Sequence, residues 1–131
     1  MADQSVQKGA SDTALYTALR RAIAYKLYPN SYFGPDSLAK IFLPAHFRFL
    51  LRFHWVLGTA RAKLEKFMPG MTEYVIARTR FFDELFLNAL RGQTAQIVLL
   101  GAGYDSRAYR FAQMIRTTRI YELDAPLTQK R

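Results

Sequence analysis

The sequence predicts an α/β protein in which about eighty helical residues precede a strand–turn–helix–strand unit. Two observations carry this. Apolar residues recur at helical spacing up to residue 90, and two short β-rich runs follow, the first closed by a glycine pair. A third concerns extent: two strands do not make a stable open sheet, so the pattern reads as the beginning of a larger α/β domain, cut off partway.

The elements follow in order. Residues 1–10 read as a loose, flexible, polar start. Ser11 or Asp12 can cap a helix to about Tyr28, with Ala14, Leu15, Ala18, Leu19, Ala22 and Ile23 at helical spacing. Pro29-Asn30-Ser31 ends it, and Gly34-Pro35-Asp36 opens a short helix reaching Phe42. One longer helix is expected from Pro44 to about Phe67. Pro69-Gly70 stops it, and another runs from Met71 to Leu90 before Arg91-Gly92. Gln96-Ile97-Val98-Leu99-Leu100 fits a buried strand. Residues 106–115 can be a helix, and Arg119-Ile120-Tyr121-Glu122-Leu123 is the second strand. The expected division is thus 1–10, a helical segment 11–92, and an incomplete β-α-β unit 93–131.

Composition narrows the function. The chain has 131 residues, 15% of them aromatic, and a net charge of +9. That charge invites nucleic-acid or acidic-membrane binding without deciding either. With no cysteine, a disulfide scaffold, a zinc-thiolate site and a thiol nucleophile are excluded. The polar N-terminus is no signal peptide, and residues 41–57 are too polar to span a bilayer, so a cytoplasmic protein is expected.

Four places can carry chemistry. In Leu99-Leu100-Gly101-Ala102-Gly103-Tyr104-Asp105-Ser106 a strand runs into Gly-x-Gly and then a helix. Glycines allow a sharp turn and a close ligand, and a helix start offers free N–H groups, the general form of a nucleoside-cofactor loop. Ser106 stands where the dinucleotide fingerprint has its third glycine, and a plain strand-to-helix turn is the competing reading. Glu122 and Asp124, about twenty residues on, share one side of the second strand. There a carboxylate can accept both hydroxyls of a ribose, or simply cap a helix. Arg78 falls mid-way along an apolar stripe of Met71, Tyr74, Phe81, Phe82, Leu85 and Ala89. It needs an anionic ligand, an internal salt bridge or a path to solvent. Last, Arg48, Arg52, Lys63 and Lys66 share a helix face near Trp55, with Phe47, Leu50, Phe53, Leu57 and Leu64 opposite. This could bind nucleic acid or a membrane surface, but a solvated basic face over a packed apolar one is favoured. His46 and His54 on the apolar side read as core histidines, and no metal site is expected. No Ser/His/Asp system or Walker loop is present, and no catalytic residue is assigned.

Three stretches together resemble the leucine carboxyl methyltransferase family, including its bacterial S-adenosylmethionine-dependent O-methyltransferases. They are Tyr74-Val75-Ile76-Ala77-Arg78-Thr79-Arg80-Phe81-Phe82-Asp83, the run from Gln96 through Gly101-Ala102-Gly103 to Arg110, and Tyr121-Glu122-Leu123-Asp124-Ala125-Pro126. The resemblance implies the N-terminal part of a Rossmann-like methyltransferase fold, with S-adenosyl-L-methionine as cofactor. It implies that Arg78 holds the methionine carboxylate, that Gly101 lies against the cofactor, and that Asp124 is the ribose-binding acid. Gly103 and Glu122 belong to the same two sites. A basic residue of the first helix also reaches the cofactor, and Arg20 and Arg21 both match. The acceptor would be a carboxylate or hydroxyl oxygen on a small molecule or a protein. The family's domain continues past the second strand, so the chain is expected to be inactive alone. A partner chain or the C-terminal half would cover its sheet edge, and nucleic acid is disfavoured as a partner. The competing readings are a basic binding module without enzymatic activity and a degenerate, partner-dependent remnant.

Overall fold

The computed structural model describes residues 12–28 and 36–129. The expected flexible start, the stop at Pro29-Asn30-Ser31 and the opening at Gly34-Pro35 lie outside the described residues. Helix α1 spans Asp12–Leu27, with Asp12 in its first turn and Lys26 in its last, both favourable to the helix dipole. Its buried side is made of small residues, Ala14, Ala18, Ala22 and Ala24, beside Ile23. Small side chains let neighbours approach closely, and α1 packs on a 3-10 turn (Ala39–Phe42) and on helices α3 (His54–Phe67) and α4 (Met71–Arg91). The core gathers there, from Ala14, Ala18, Ala22, Ile23, Ala39, Leu43, Leu51, Leu57 and Tyr104. Tyr104 brings the glycine loop into it, stacking on Phe42 with ring centroids 5.4 Å apart.

The single helix expected after Pro44 is two. Helix α2 covers Ala45–Leu50 and α3 covers His54–Phe67. Between them Arg52 N–H and Phe53 N–H donate three residues back, to the carbonyls of Phe49 and Leu50, and Phe53 is extended. The reason is burial. On one straight helix Leu51 and Leu57 would point roughly 120° apart; the bend lets both enter the core.

Helix α4 spans Met71–Arg91, after Gly70 in the left-handed region. Its buried face is Thr72, Val75, Ile76, Thr79, Asp83, Phe86 and Leu90, not the expected apolar stripe. Tyr74, Phe81, Phe82 and Leu85 of that stripe are exposed. Contacts to α1 and ion pairs made by Asp83 set the rotation of this helix, which is apolar on more than one side.

Strands β1 (Gln96–Leu100) and β2 (Arg119–Leu123) have the expected bounds and pair in parallel, Gln96 opposite Arg119 and Leu100 opposite Leu123. β1 is half-buried rather than buried: Ile97 and Leu99 are partly covered, while Val98 and Leu100 on the other face are exposed. Nothing among the described residues packs on that face, which Tyr121 and Leu123 continue. The helix expected over 106–115 is a short α5 (Arg107–Arg110) and a 3-10 turn (Ala112–Met114), parted at Phe111. Phe111 turns toward α4, its ring 5.9 Å from Phe86. A last turn, α6, covers Pro126–Gln129. Among the described residues, no helix is long and apolar enough to cross a membrane.

Candidate functional site

The glycine loop leaves β1 at Leu100. Gly101 (φ 62°) and Gly103 (φ 58°) both sit in the left-handed region that disfavours a side chain. Their surroundings differ. A Cβ on Gly103 would lie 3.3 Å from the Ala14 Cβ of α1, whereas one on Gly101 would meet nothing within 4 Å. Gly103 therefore serves close packing as well as the turn, and Gly101 leaves open space beside the backbone. The loop is tied to the end of β2. Ala102 N–H donates to the Leu123 carbonyl at 3.1 Å, and Gly103 N–H donates to Asp124 Oδ2 at 2.5 Å. Asp124 Oδ1 accepts from Ala125 N–H at 2.6 Å.

Behind the loop lies a buried polar joint. Asp36, 1% exposed, accepts from Arg21 Nη1 at 2.6 Å, from Ser106 Oγ at 2.8 Å, and from the Leu38 and Ala39 N–H groups. Arg21 Nη2 also donates to the Tyr104 carbonyl at 2.7 Å. Asp83, on the buried side of α4, accepts from Arg107 Nε at 3.0 Å and from both Nη atoms of Arg110 at 2.7 and 2.6 Å. Arg110 Nε donates to Ser106 Oγ at 2.9 Å, joining the two clusters, and Arg107 also pairs with Asp105. The joint thus links α1, the segment before the 3-10 turn, α4, the glycine loop and α5. Burial pulls the Arg21 guanidinium below its ordinary value, against the fields of Asp36 and Asp105. Burial acts the same way on Arg110, but its hydrogen bond to Asp83 and the fields of Asp36, Asp83 and Asp105 prevail and raise it.

A cavity of about 640 Å³ opens between α1, α4, β1 and the loop, within the range of small-molecule sites. Of the residues singled out in the sequence, it brings together Arg21, Arg78, Gly101, Gly103 and Asp124, with Phe82, Leu85 and Ile97 among its apolar walls. Arg78 reaches it from the exposed side of α4, its guanidinium over the Phe82 ring at 5.6 Å. Part of the apolar stripe, Phe82, Leu85 and Ala89, is thus a cavity wall, while Met71, Tyr74 and Phe81 lie outside it.

Two predicted residues lie elsewhere. Arg20 is buried and donates from Nη1 to Thr72 Oγ1 at 2.8 Å, so it joins α1 to α4. One residue is a turn of roughly 100°, which sends Arg20 and its neighbour Arg21 to different sides of α1. Glu122 sits in β2 opposite Leu99 and is not in the cavity wall. Desolvation, and next the charge of Asp105, push its carboxyl above the ordinary value. His46 and His54, expected in the core, are both exposed, because Phe47, Leu51 and Leu57 take the inward positions of this segment. No group of three or more metal-ligating side chains occurs among the described residues.

The sequence reading missed the joint. Asp36 and Asp83 looked like ordinary acids at a helix start and on a helix. The usable signal was weak: Arg107 and Arg110, three apart in a short helix after the loop, need anions if that helix packs inward.

The strand runs through a glycine turn into a helix beside a cavity walled by three arginines, Arg21, Arg78 and Arg107, and two aspartates, Asp105 and Asp124, an arrangement of the general form of a nucleoside-cofactor loop. The chain belongs to the leucine carboxyl methyltransferase family, whose model matches residues 14–131. It is similar to a Mycolicibacterium paratuberculosis protein provisionally named S-adenosyl-L-methionine-dependent methyltransferase. The two are 46% identical over 70 residues, 53% of this chain and 22% of that protein. A Mycobacterium avium protein of the same name is 48% identical over 59 residues, 45% of this chain and 18% of its own. A Mycobacterium ulcerans protein is 49% identical over 59 residues, with the same shares. The aligned part is about a fifth of each relative's length.

Proposed function

We propose that this chain forms the cofactor-holding part of an S-adenosyl-L-methionine-dependent O-methyltransferase. The observation that carries the reading is the convergence of Arg21, Arg78, Gly101, Gly103 and Asp124 on one cavity. The residues present suit that cofactor. Among the described residues Arg78 has no ion-pair partner, so its fork is available to a carboxylate. Arg21 uses one N–H on each terminal nitrogen, toward Asp36 and Tyr104, and keeps one on each for a ligand. Asp124 accepts one bond from Gly103 and one from Ala125, and a carboxylate has capacity for two more, such as ribose hydroxyls. The space beside Gly101 lets a ligand approach the backbone.

When bound, the cofactor supplies an electrophilic methyl group on a sulfonium. The protein's part is orientation: Arg21 and Arg78 as cations, an acid at the loop, and apolar side chains along the cavity wall. The acceptor in this reading is an oxygen, on a carboxylate or hydroxyl of a small molecule or a protein. A carboxylate is already ionised at neutral pH, so no general base is assigned. The acceptor-binding parts belong, in this proposal, to portions of the relatives outside the alignment. The 131-residue chain then binds cofactor without turning over, and the reaction takes place in the cytoplasm.

The test is methyl transfer from radiolabelled S-adenosyl-L-methionine to a panel of carboxylic acids and C-terminal peptides, with a full-length relative run alongside. A product on a carboxylate should release its label as methanol in mild base, as a methyl ester does, whereas a product on a hydroxyl would be a base-stable methyl ether. A base-stable product on nitrogen or carbon would overturn the O-methyl reading. Turnover by this chain alone would overturn its dependence on further parts.

A further inference from the structure

We infer that α2 and α3 form a docking surface for an anionic lipid bilayer. Between Asp36 and Glu65 the sequence has no acidic residue but five cations, Lys40, Arg48, Arg52, Arg61 and Lys63. Glu65 itself accepts from the Gly70 N–H at 2.6 Å, and Arg61 is engaged by Tyr28 and Glu73. That leaves Lys40, Arg48, Arg52 and Lys63, joined by Lys66 just after Glu65, as exposed positive charge.

The apolar side that the sequence assigned to the core reaches it only in part: Leu57 lies in the core and Phe47 and Leu64 pack against it. Of that set only Leu57 is buried, while Leu50 and Phe53 are exposed. Phe49 is 56% exposed, Trp55 74% and Phe67 78%, with Ile41 and Met68 also open to solvent. At 100° per residue, Trp55, Thr59, Ala62, Lys63 and Lys66 fall within an arc of roughly 100° on α3, and all five are exposed.

Cations interleaved with exposed Trp, Phe, Leu and Ile suit a helix lying in a membrane interface. Lys and Arg meet anionic headgroups, Trp sits at headgroup level, and aliphatic side chains enter the acyl boundary. Single-stranded nucleic acid would use the cations and stack on the rings, but it would leave Ile41, Leu50 and Met68 in water. No residue of α2 or α3 lines the cofactor cavity, so this surface is independent of the proposed chemistry.

Trp55 is the sole tryptophan and therefore a built-in probe. The test titrates the chain with vesicles of equal parts phosphatidylcholine and phosphatidylglycerol and follows Trp55 emission and acrylamide quenching. A blue shift and protection are expected, absent with pure phosphatidylcholine. Lys63→Glu with Lys66→Glu should weaken binding at least about ten-fold. Arg91→Glu with Arg116→Glu, the same charge change elsewhere, should leave it within about two-fold. Phe49→Ser leaves the charge untouched and should weaken binding several-fold, which keeps the test valid should the lysine pair impair folding. Four outcomes would each overturn the proposal: no shift, an equal shift with neutral vesicles, equal losses in both charge pairs, or a larger shift with single-stranded oligonucleotide.

Discussion

The joint around Asp36 and Asp83 and the open face of the two strands both adjoin the glycine loop, yet they are built in opposite ways. In the joint, two buried aspartates, three arginines and a serine satisfy one another across five segments of chain. On the strands, Val98, Leu100, Tyr121 and Leu123 stand exposed. The loop's shape is therefore fixed from behind by charge-assisted hydrogen bonds, while the end of β2 holds it through Ala102 and Gly103 alone. Such bonds are directional, so they hold Tyr104 and Ser106 in place where the apolar burial around the strands is incomplete.

That contrast breaks most readily at Asp83. Asp83→Ala would leave buried Arg107 with Asp105 alone and buried Arg110 with only the longer contact to Asp36, 3.6 Å. Removing one partner of a buried ion pair costs about 3–5 kcal/mol, which urea unfolding would read as a much lower midpoint. A loss below about 1 kcal/mol would mean the joint contributes little.

The two loop glycines sharpen it further. Gly103→Ala meets both a left-handed backbone and the nearby Ala14 Cβ, and should cost about 1–3 kcal/mol. Gly101→Ala meets the backbone term alone and should cost about 1 kcal/mol. Equal losses on thermal melting would show that the close approach of α1 to the loop is not energetically real.

The smallest effect is expected at Glu122, on the partly covered side of the strands. Its folded carboxyl is raised above the ordinary value, so the fold favours the protonated form. That contribution is fully present below the ordinary carboxylate range and is lost as pH rises through the raised value. Glu122→Gln should therefore be the more stable protein at neutral pH, with the gap closing in acid. A gap that widened in acid would reverse the sign.

These contrasts also explain what was legible in the sequence. Both strands could be read residue for residue, the first as a β-branched run closed by Gly101 and the second as a short alternating run stopped before Pro126. The glycine loop and Asp124 could be named, since the turn and the acid after it stand at a recognisable spacing; Arg78 stood out on its apolar stripe, and Arg21 entered only through the family resemblance, undecided against Arg20. The rotation of α4 could not. That helix is apolar on more than one side, and periodicity cannot choose between Phe82 and Phe86 as the inner residue. The bend at residues 51–53 carries no proline or glycine. It arises because Leu51 and Leu57 share a core, a tertiary demand. The joint escaped for the same reason: Asp36 meets Ser106 across seventy residues, a pairing no local pattern encodes.

Isothermal titration of S-adenosylhomocysteine into the 131-residue chain tests the central claim most directly, that the loop, Arg21, Arg78 and Asp124 form a cofactor site. Saturable one-to-one binding is expected, weakened ten-fold or more, about 1.4 kcal/mol, by Arg78→Ala and likewise by Asp124→Ala. Absence of binding by a chain whose circular dichroism shows it folded would contradict the account, as would affinity unchanged in both variants.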